Sequence, residues 1–269
     1  MKNLYKLITI LLLLVVFAAG TKLEYKLNEY RLEKITKVET SQEVRQGRDV
    51  DFDKLLKRNP DVLAWIYLPD SEIDYPVVQG ENNDFYLHRD LDKNYLFEGT
   101  LFVDAGNIEP FHDTNTVIYG HHMKSGAMFA NLAKYSDKDY LKDHSVFQLE
   151  TPDKSYDLHV VAYCNEPADS DLYQTYTEDF DELVKSNAVY LSGEDFSAAD
   201  HFVTLSTCAY NYDDARHQVI CVVRDAGLTE ASETIQYDKP FLNRWLFLQV
   251  GAGLLMIFVL IISLKSLKK

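Results

Sequence analysis

Cysteine is scarce in this 269-residue chain, which carries three: Cys164, Cys208 and Cys221. An exported domain stapled by disulfides carries an even number as a rule, so at least one thiol here is free or paired to another molecule. Basic charge is short as well, with 27 Lys and Arg against 42 Asp and Glu and a formal net charge of −15. That deficit argues against nucleic acid, whose phosphates need basic partners, and against adhesion to anionic headgroups; the acidity reads as solubility. The 7 Pro and 11 Gly are not gathered into a Pro/Gly/Ser linker, and there is no internal repeat or low-complexity tract. One folded domain is the economical reading. The acids of PADSDLYQ (167–174) lack the spacing of a calcium loop, so no metal and no other cofactor is expected.

Long apolar runs stand at both ends. Residues 7–20, LITILLLLVVFAAG, follow Lys2 and Lys6, and residues 245–264, WLFLQVGAGLLMIFVLIISL, precede Lys265, Lys268 and Lys269. A membrane-spanning helix needs about 20 apolar residues. The C-terminal run meets that length and has Trp245 and Arg244 at one end and lysines at the other, as a spanning helix should. The N-terminal run reads as an uncleaved signal anchor within residues 1–21, although Ala18 and Gly20 would also suit cleavage. Lysines on the terminal side of both runs put both termini in the cytoplasm and residues 22–244 outside. The expected organisation is a helical, membrane-proximal segment at 22–58, a β-rich domain at 59–226, a juxtamembrane linker at 227–244, a transmembrane helix at 245–264 and a basic cytoplasmic tail at 265–269.

Asp51 or Asp53 is positioned to cap a short helix, DFDKLLKRN, ending before Pro60. From there short strand-like runs follow one another: VLAWIYL (62–68), IDYPVVQ (73–79), FYLH (85–88), TLFVD (100–104), NTVIYGH (115–121), SVFQLE (145–150), SYDLHVVAYC (155–164), HFVTLSTC (201–208) and HQVICVV (217–223). Helices are expected at MFANLAKY (128–135), SDKDYLKDH (136–144) and TEDFDELVKSNAVY (177–190), the last with Phe180, Leu183 and Val184 on one face. Eight or nine strands with few helices make a mainly β fold, a barrel or a sandwich.

Cys164 and Cys221 sit inside strand-like runs and read as small buried hydrophobes. Cys208 stands where a strand opens into a polar loop, in TLSTCAYNYDDAR (204–216). A thiol with a pKa of about 8.5 is mostly protonated at neutral pH and needs a base or a cation beside it to act as a nucleophile. Among the eight histidines, His121 follows NTVIYG, so a strand ends in Gly120 and delivers the imidazole; its neighbour His122 is the alternative. His88, His112 and His144 read as solvated loop residues, and His159 and His201 as packing positions. Arg216 begins the strand after the Cys208 loop, where a hairpin returns it beside the thiol; its guanidinium stays charged and can hydrogen-bond a developing oxyanion. Arg224 lies at the far end of that strand, and a bland reading pairs Arg216 with Asp213 or Asp214.

These segments, in this order, resemble the sortases. TLSTC matches their TLxTC signature, Arg216 follows after seven residues, and NTVIYGHHM is similar to their histidine segment. DVLAWIYLPDSEIDYPVVQ and NNDFYLHRDL resemble the start of the class B domain, and the helical segments at 128–144 and 177–190 suit that class too. The resemblance covers most of residues 50–224. It implies a closed eight-stranded β-barrel with additional helices, on the outside of a Gram-positive cell, acting as a cysteine transpeptidase. Cys208 would attack a secreted protein's sorting signal after its threonine and form a thioacyl-enzyme. His121 would serve as general acid and base, Arg216 would stabilise the oxyanion, and Ser206 and Thr207 would line the substrate groove. The implied partners are surface proteins or pilins bearing sorting signals, and an acceptor amine from a pilin lysine or a peptidoglycan cross-bridge. A second, C-terminal anchor is more typical of pilin-polymerising class C enzymes, yet residues 22–58 hold no Asp-Pro-Phe or Asp-Pro-Trp lid motif. A class B-like enzyme with two anchors suits pilus assembly. A membrane-tethered cysteine protease and a non-enzymatic scaffold with a buried Cys208 are the rival expectations.

Overall fold

The computed structural model describes residues 20–22, 45–46, 49–197, 199, 201–209 and 214–226. The chain divides into two compact units, Thr40–Glu233 and one formed by Met1–Glu39 with Thr234–Lys269; of the latter only the helical turn at 20–22 is described. Both expected anchors (but for residue 20), most of the 22–58 segment, the 227–244 linker and the basic tail lie outside the described residues. No described helix is long and apolar enough to cross a membrane.

Where residues 22–58 are described, one expectation is corrected. Arg45–Gln46 (β1) and Asp49–Val50 (β2) pair antiparallel rather than forming helix, with the helix breaker Gly47 between them. Phe52–Arg58 (α1) is then helical, and Asp51 is the residue that caps it, its Oδ1 accepting from the Lys54 N–H at 2.9 Å. Such a cap stabilises a helix by ~1 kcal/mol. α1 buries Leu55 against a cluster that also holds Val62, Trp65, Val78, Tyr86, Leu91 and Phe102.

The strands are Val62–Tyr67 (β3), Asp74–Gln79 (β4), Leu101–Val103 (β5), Asn115–Tyr119 (β6), Val146–Glu150 (β7), Ser155–Pro167 (β8), Ala188–Leu191 (β9), Phe202–Cys208 (β10) and Ala215–Asp225 (β11). They run side by side as β11-β10-β6-β5-β4-β3-β7-β8-β9, and β11 also pairs with β8. That extra pairing closes eight strands into a barrel and leaves β9 outside, on β8. Closure removes the sheet edges on which other chains could pair. The interior is apolar, filled by alternate residues such as Ile66, Val77, Val103, Ile118, Leu149, Leu158, Val203, Leu205 and Val219, as period-two strands dictate.

β8 shows how a second layer is added. Its first half alternates, with Tyr156, Leu158 and Val160 inward, but from Val161 to Cys164 every residue is buried. There the outer face is covered by the helix Phe180–Asn187 (α3), which buries Phe180 and Val184 in a second cluster with Leu172, Phe196, Phe202 and Ile220. The expected helix over 177–190 therefore stops early: Ala188–Leu191 leaves it to pair with β8, Tyr190 opposite Tyr163. The remaining helix, Lys138–Asp143 (α2), falls within the expected 136–144 segment, and the segment before it is a 3-10 helix at Ala130–Ser136.

FYLH (85–88), expected as a strand, is instead the 3-10 helix Tyr86–His88. The Asn82 side chain starts this turn by accepting from the Asp84 and Phe85 N–H groups at 3.0 and 2.9 Å, a local side-chain contact that competes with an extended backbone. Tyr86 then pins it: its hydroxyl donates to Asp61 at 2.6 Å and accepts from buried Asn59 at 2.8 Å. Gly99 passes so close that a Cβ there would stand 2.4 Å from the carbonyl oxygens of both Tyr86 and Leu87, and its φ is +63°, a conformation favourable only to glycine. These contacts hold Leu87 and His88 against the end of β6.

Candidate active site

β10 lies between β6, which runs parallel to it, and β11, which runs antiparallel. Across these three strands Tyr119, Ser206 and Gln218 form one row, with Ser206 opposite both of the others. Two residues further along β10, Cys208 is directly opposite Arg216. Two residues further along the β6 backbone is His121. Because side chains alternate with a period of two, Cys208 and Arg216 emerge on the face that Ser206 and Gln218 share. The Gly120 N–H donates to the Ser206 carbonyl at 3.1 Å, so the β6 backbone still tracks β10 at the residue before His121.

Gly120 is required there by packing. A Cβ at this position would stand 2.4 Å from Leu101 Cδ2 and 2.8 Å from Phe129 Cδ2, both in the barrel core. Just beyond it the chain turns off: the Phe129 N–H bonds back to the His121 carbonyl at 3.1 Å, and His122 bridges to Met128.

Cys208 is a free, partly exposed thiol, whereas Cys164 and Cys221 are free and buried. Burial pushes the Cys164 thiol up to about 12 and raises Cys221 further, so neither forms a thiolate at neutral pH. The rival expectation of a buried Cys208 is not what the structure shows.

The two adjacent histidines have different partners. His121 Nε2 lies 2.9 Å from the Leu87 carbonyl. A carbonyl only accepts, so Nε2 carries the hydrogen and Nδ1 is the nitrogen left to exchange a proton. The ring stacks on His88 at 5.2 Å and Phe97 at 6.0 Å between centroids. Burial lowers its pKa and His88 adds to that, while the Leu87 carbonyl and Glu98 act in the opposite direction. His122 instead places Nδ1 2.7 Å from the Cys208 carbonyl, and its ring meets His217 at 5.8 Å. His88 is thus part of the surroundings of His121 rather than a solvated loop residue.

Arg216 sits inside β11, which begins at Ala215, and is partly exposed; its Nη1 donates to the Ala215 carbonyl at 3.0 Å. Glu166 of β8 is its directly opposite neighbour on the other side. The positive charge of Arg216 favours the ionised form of both Tyr119 and Tyr173, although burial dominates and raises both hydroxyls. Tyr119 donates to Asp104 at 2.8 Å, and Tyr173 hydrogen-bonds Ser206 Oγ at 2.7 Å. Ser206 therefore sits on the Cys208 face, within this polar network. Thr207 has the opposite parity, shared with Val203 and Leu205 of the barrel core; it is 3% exposed and its Oγ1 lacks a hydrogen-bond partner.

The match to known proteins extends over this whole region. The sortase-domain family model covers residues 66–225, which include TLSTC, NTVIYGHHM and Arg216. The chain belongs to the sortase family. Sortase B of Listeria monocytogenes is 38% identical over 172 residues, covering 62% of this chain and 70% of that protein. Sortase B of Staphylococcus aureus is 26% identical over 238 residues, 83% of this chain and 97% of that one. A solved S. aureus sortase B–substrate complex superposes with a TM-score of 0.61 at 26% identity, covering 75% of this chain and 94% of that one. This sortase is class B-like, its fold includes the expected closed eight-stranded barrel, and it is a cysteine transpeptidase. Among the described residues no cluster of His, Cys, Asp or Glu is arranged to hold a metal.

Sequence reasoning did not find the Leu87 carbonyl, His88, Tyr173, Glu166 or the role of His122. A backbone carbonyl leaves no trace in a sequence, and the other contacts depend on register between distant strands. Only His122 had a signal, as the second of two histidines after a strand-ending glycine.

Proposed function

We propose that Cys208, His121 and Arg216 carry out this sortase's acyl transfer. The observation that carries the reading is the direct pairing of Cys208 with Arg216 across β10 and β11, at the level where β6 ends and delivers His121. The Cys208 thiolate attacks the backbone carbonyl carbon of the threonine, the acyl side of the scissile bond; a C–S bond forms and the carbonyl electrons move to oxygen. Arg216 supplies a fixed positive donor to that oxyanion. The backbone N–H just after a nucleophile is a common oxyanion donor, but here the Ala209 N–H is engaged by the Ala215 carbonyl at 2.8 Å, which places more of the work on Arg216. As the C–N bond breaks, imidazolium His121 gives its proton to the leaving amine. The neutral imidazole then takes a proton from the incoming amine, which attacks the thioester, forms the new amide and releases the Cys208 thiolate. The Leu87 carbonyl orients this imidazole as the third member of a triad orients its base.

We place the enzyme on the outer face of the membrane, tethered by the apolar runs at 7–20 and 245–264, with sorting-signal proteins as acyl donors. The two runs and the class B-like domain support a pilin lysine as the acceptor, with a peptidoglycan cross-bridge amine as the alternative. The test is intact-mass analysis of a sorting-signal peptide incubated with enzyme and either amine. Amide product with the wild-type enzyme, and neither cleavage nor thioester with Cys208→Ala, is the expected result. Cleavage that persists without Cys208 would overturn the assignment.

A further inference from the structure

We infer that His122 is a positioning residue for the nucleophile, acting through the backbone carbonyl of Cys208; this rests on Cys208 being the attacking group. In a parallel ladder, successive rungs fall two residues apart on each strand. The Gly120 N–H makes one rung with the Ser206 carbonyl, so the next would run from the His122 N–H to the Cys208 carbonyl. The chain has turned away by then, pulled toward Phe129 by its bond to the His121 carbonyl. The His122 side chain takes over that rung, with Nδ1 2.7 Å from the Cys208 oxygen. The acceptor is a carbonyl, so the imidazole must donate, and its hydrogen sits on Nδ1.

This substitution solves a conflict in the local design. β6 must stop at Gly120 so that His121 is free to face the substrate, yet stopping it removes the rung that would hold Cys208. A side-chain donor keeps the rung without extending the strand. The peptide unit between Cys208 and Ala209 is then fixed at both ends, its carbonyl by His122 and its N–H by the Ala215 carbonyl at 2.8 Å. That fixes the direction in which β10 leaves the barrel, and with it the Cα–Cβ bond that aims the thiol. The far side of the His122 ring is itself supported: it packs against His217, whose Nδ1 is hydrogen-bonded by the Tyr163 hydroxyl at 2.7 Å.

Three variants of the full chain separate donation from bulk. His122→Asn keeps an N–H donor at the position of Nδ1, His122→Leu has the same branched shape without it, and His122→Ala removes both. Each is checked for folding by thermal melting, then assayed for transpeptidation and for the rate at which iodoacetamide alkylates Cys208. The Leu and Ala variants are expected to lose about 10- to 100-fold in kcat with little change in KM, since a nucleophile misplaced by an ångström costs rates of that order. The Asn variant should stay within about 3-fold of wild type, because it restores the same hydrogen bond. Alkylation rates should separate the same way, Asn with wild type and Leu with Ala. Leu as active as wild type overturns the inference, and so does a folded Asn variant as impaired as Leu. If the wild-type enzyme fails to turn over the peptide, the assigned function fails instead, and the alkylation rates still decide: equal rates in all variants overturn the positioning role.

Discussion

Cys208 and Arg216 are directly opposed residues of two antiparallel strands, so the spacing between the proposed nucleophile and its proposed cationic partner is set by the sheet and not by a loop. Side chains opposed in this way have Cβ atoms roughly 4.5–5.5 Å apart. The ends of the segment between them are themselves tied, the Ala209 N–H donating to the Ala215 carbonyl at 2.8 Å. A cation mounted on a strand is held in place before substrate arrives, which is the condition under which a fixed charge stabilises a transition state well.

Charge alone should not suffice at that position. Lysine retains the positive charge of Arg216 but not the planar, multiply donating fork. Arg216→Lys is expected to lower kcat for acyl-enzyme formation by about 100-fold, the size typical of a lost oxyanion donor, with the fold intact by circular dichroism. Near-normal single-turnover acylation by the Lys variant would show that the geometry of the guanidinium is not used.

The three thiols should separate cleanly by reactivity. Cys164 and Cys221 are buried, and burial raises their pKa values, while Cys208 alone is partly exposed. In native protein a thiol-alkylating reagent should add one group, mapped to Cys208 by peptide mass. In denaturant it should add three. Early modification of Cys164 or Cys221 would mean that the barrel opens far more readily than its closed ladder implies.

Gly120→Ala should damage both fold and function. Its added methyl would press on Leu101 and the Phe129 ring, and overpacking a closed core costs about 1–3 kcal/mol. The relief available is to push β6 away from Phe129, which moves His121. A melting temperature lowered by several degrees (~1 kcal/mol corresponds to 2–8 °C) is expected together with activity reduced beyond the unfolded fraction. A variant with normal stability and turnover would contradict the packing account.

His217 makes an acid-sensitive contribution to stability. Burial first, and then neighbouring His122, push it down from 6.5 to about 4. The unfolded chain therefore takes up this proton near 6.5 and the native chain only near 4. Between those values the unfolded state binds more protons, so stability falls as pH falls through the window. Wild type should lose more thermal stability than His217→Gln between pH ~7 and ~4.5, where the two titrations differ. Parallel loss in both proteins would assign the acid sensitivity to carboxylates instead.

Much of the molecule was legible in the chain itself. Runs rich in β-branched and aromatic residues between turn signals identified all eight barrel strands, even where both faces are buried, as in Leu101–Val103 and most of Phe202–Cys208. The helix at Phe52–Arg58 was readable because its cap is local: Asp51 reaches a backbone N–H three residues on. The misreadings have a common cause. FYLH became a 3-10 helix because Asn82 and the buried hydroxyl of Tyr86 found partners nearby and at a distance, and Ala188–Leu191 became a strand only because β8 offered an open side.

The candidate site divides along the same line. Composition and order alone determined an acidic chain with an odd number of cysteines, and so with at least one thiol left out of any internal disulfide, and with two apolar ends. They also identified a thiol, an imidazole and a guanidinium at strand ends, since residue type and hydrophobic period are properties of short segments. Tertiary structure alone decided which groups meet. β6 contacts β10 across some ninety positions of chain, and this pairing brings His122 to the carbonyl of Cys208, while the separate turn at Tyr86–His88 brings the Leu87 carbonyl to His121. A hydrogen bond to a backbone atom depends on where two strands align, and strand register is fixed only when the whole barrel closes.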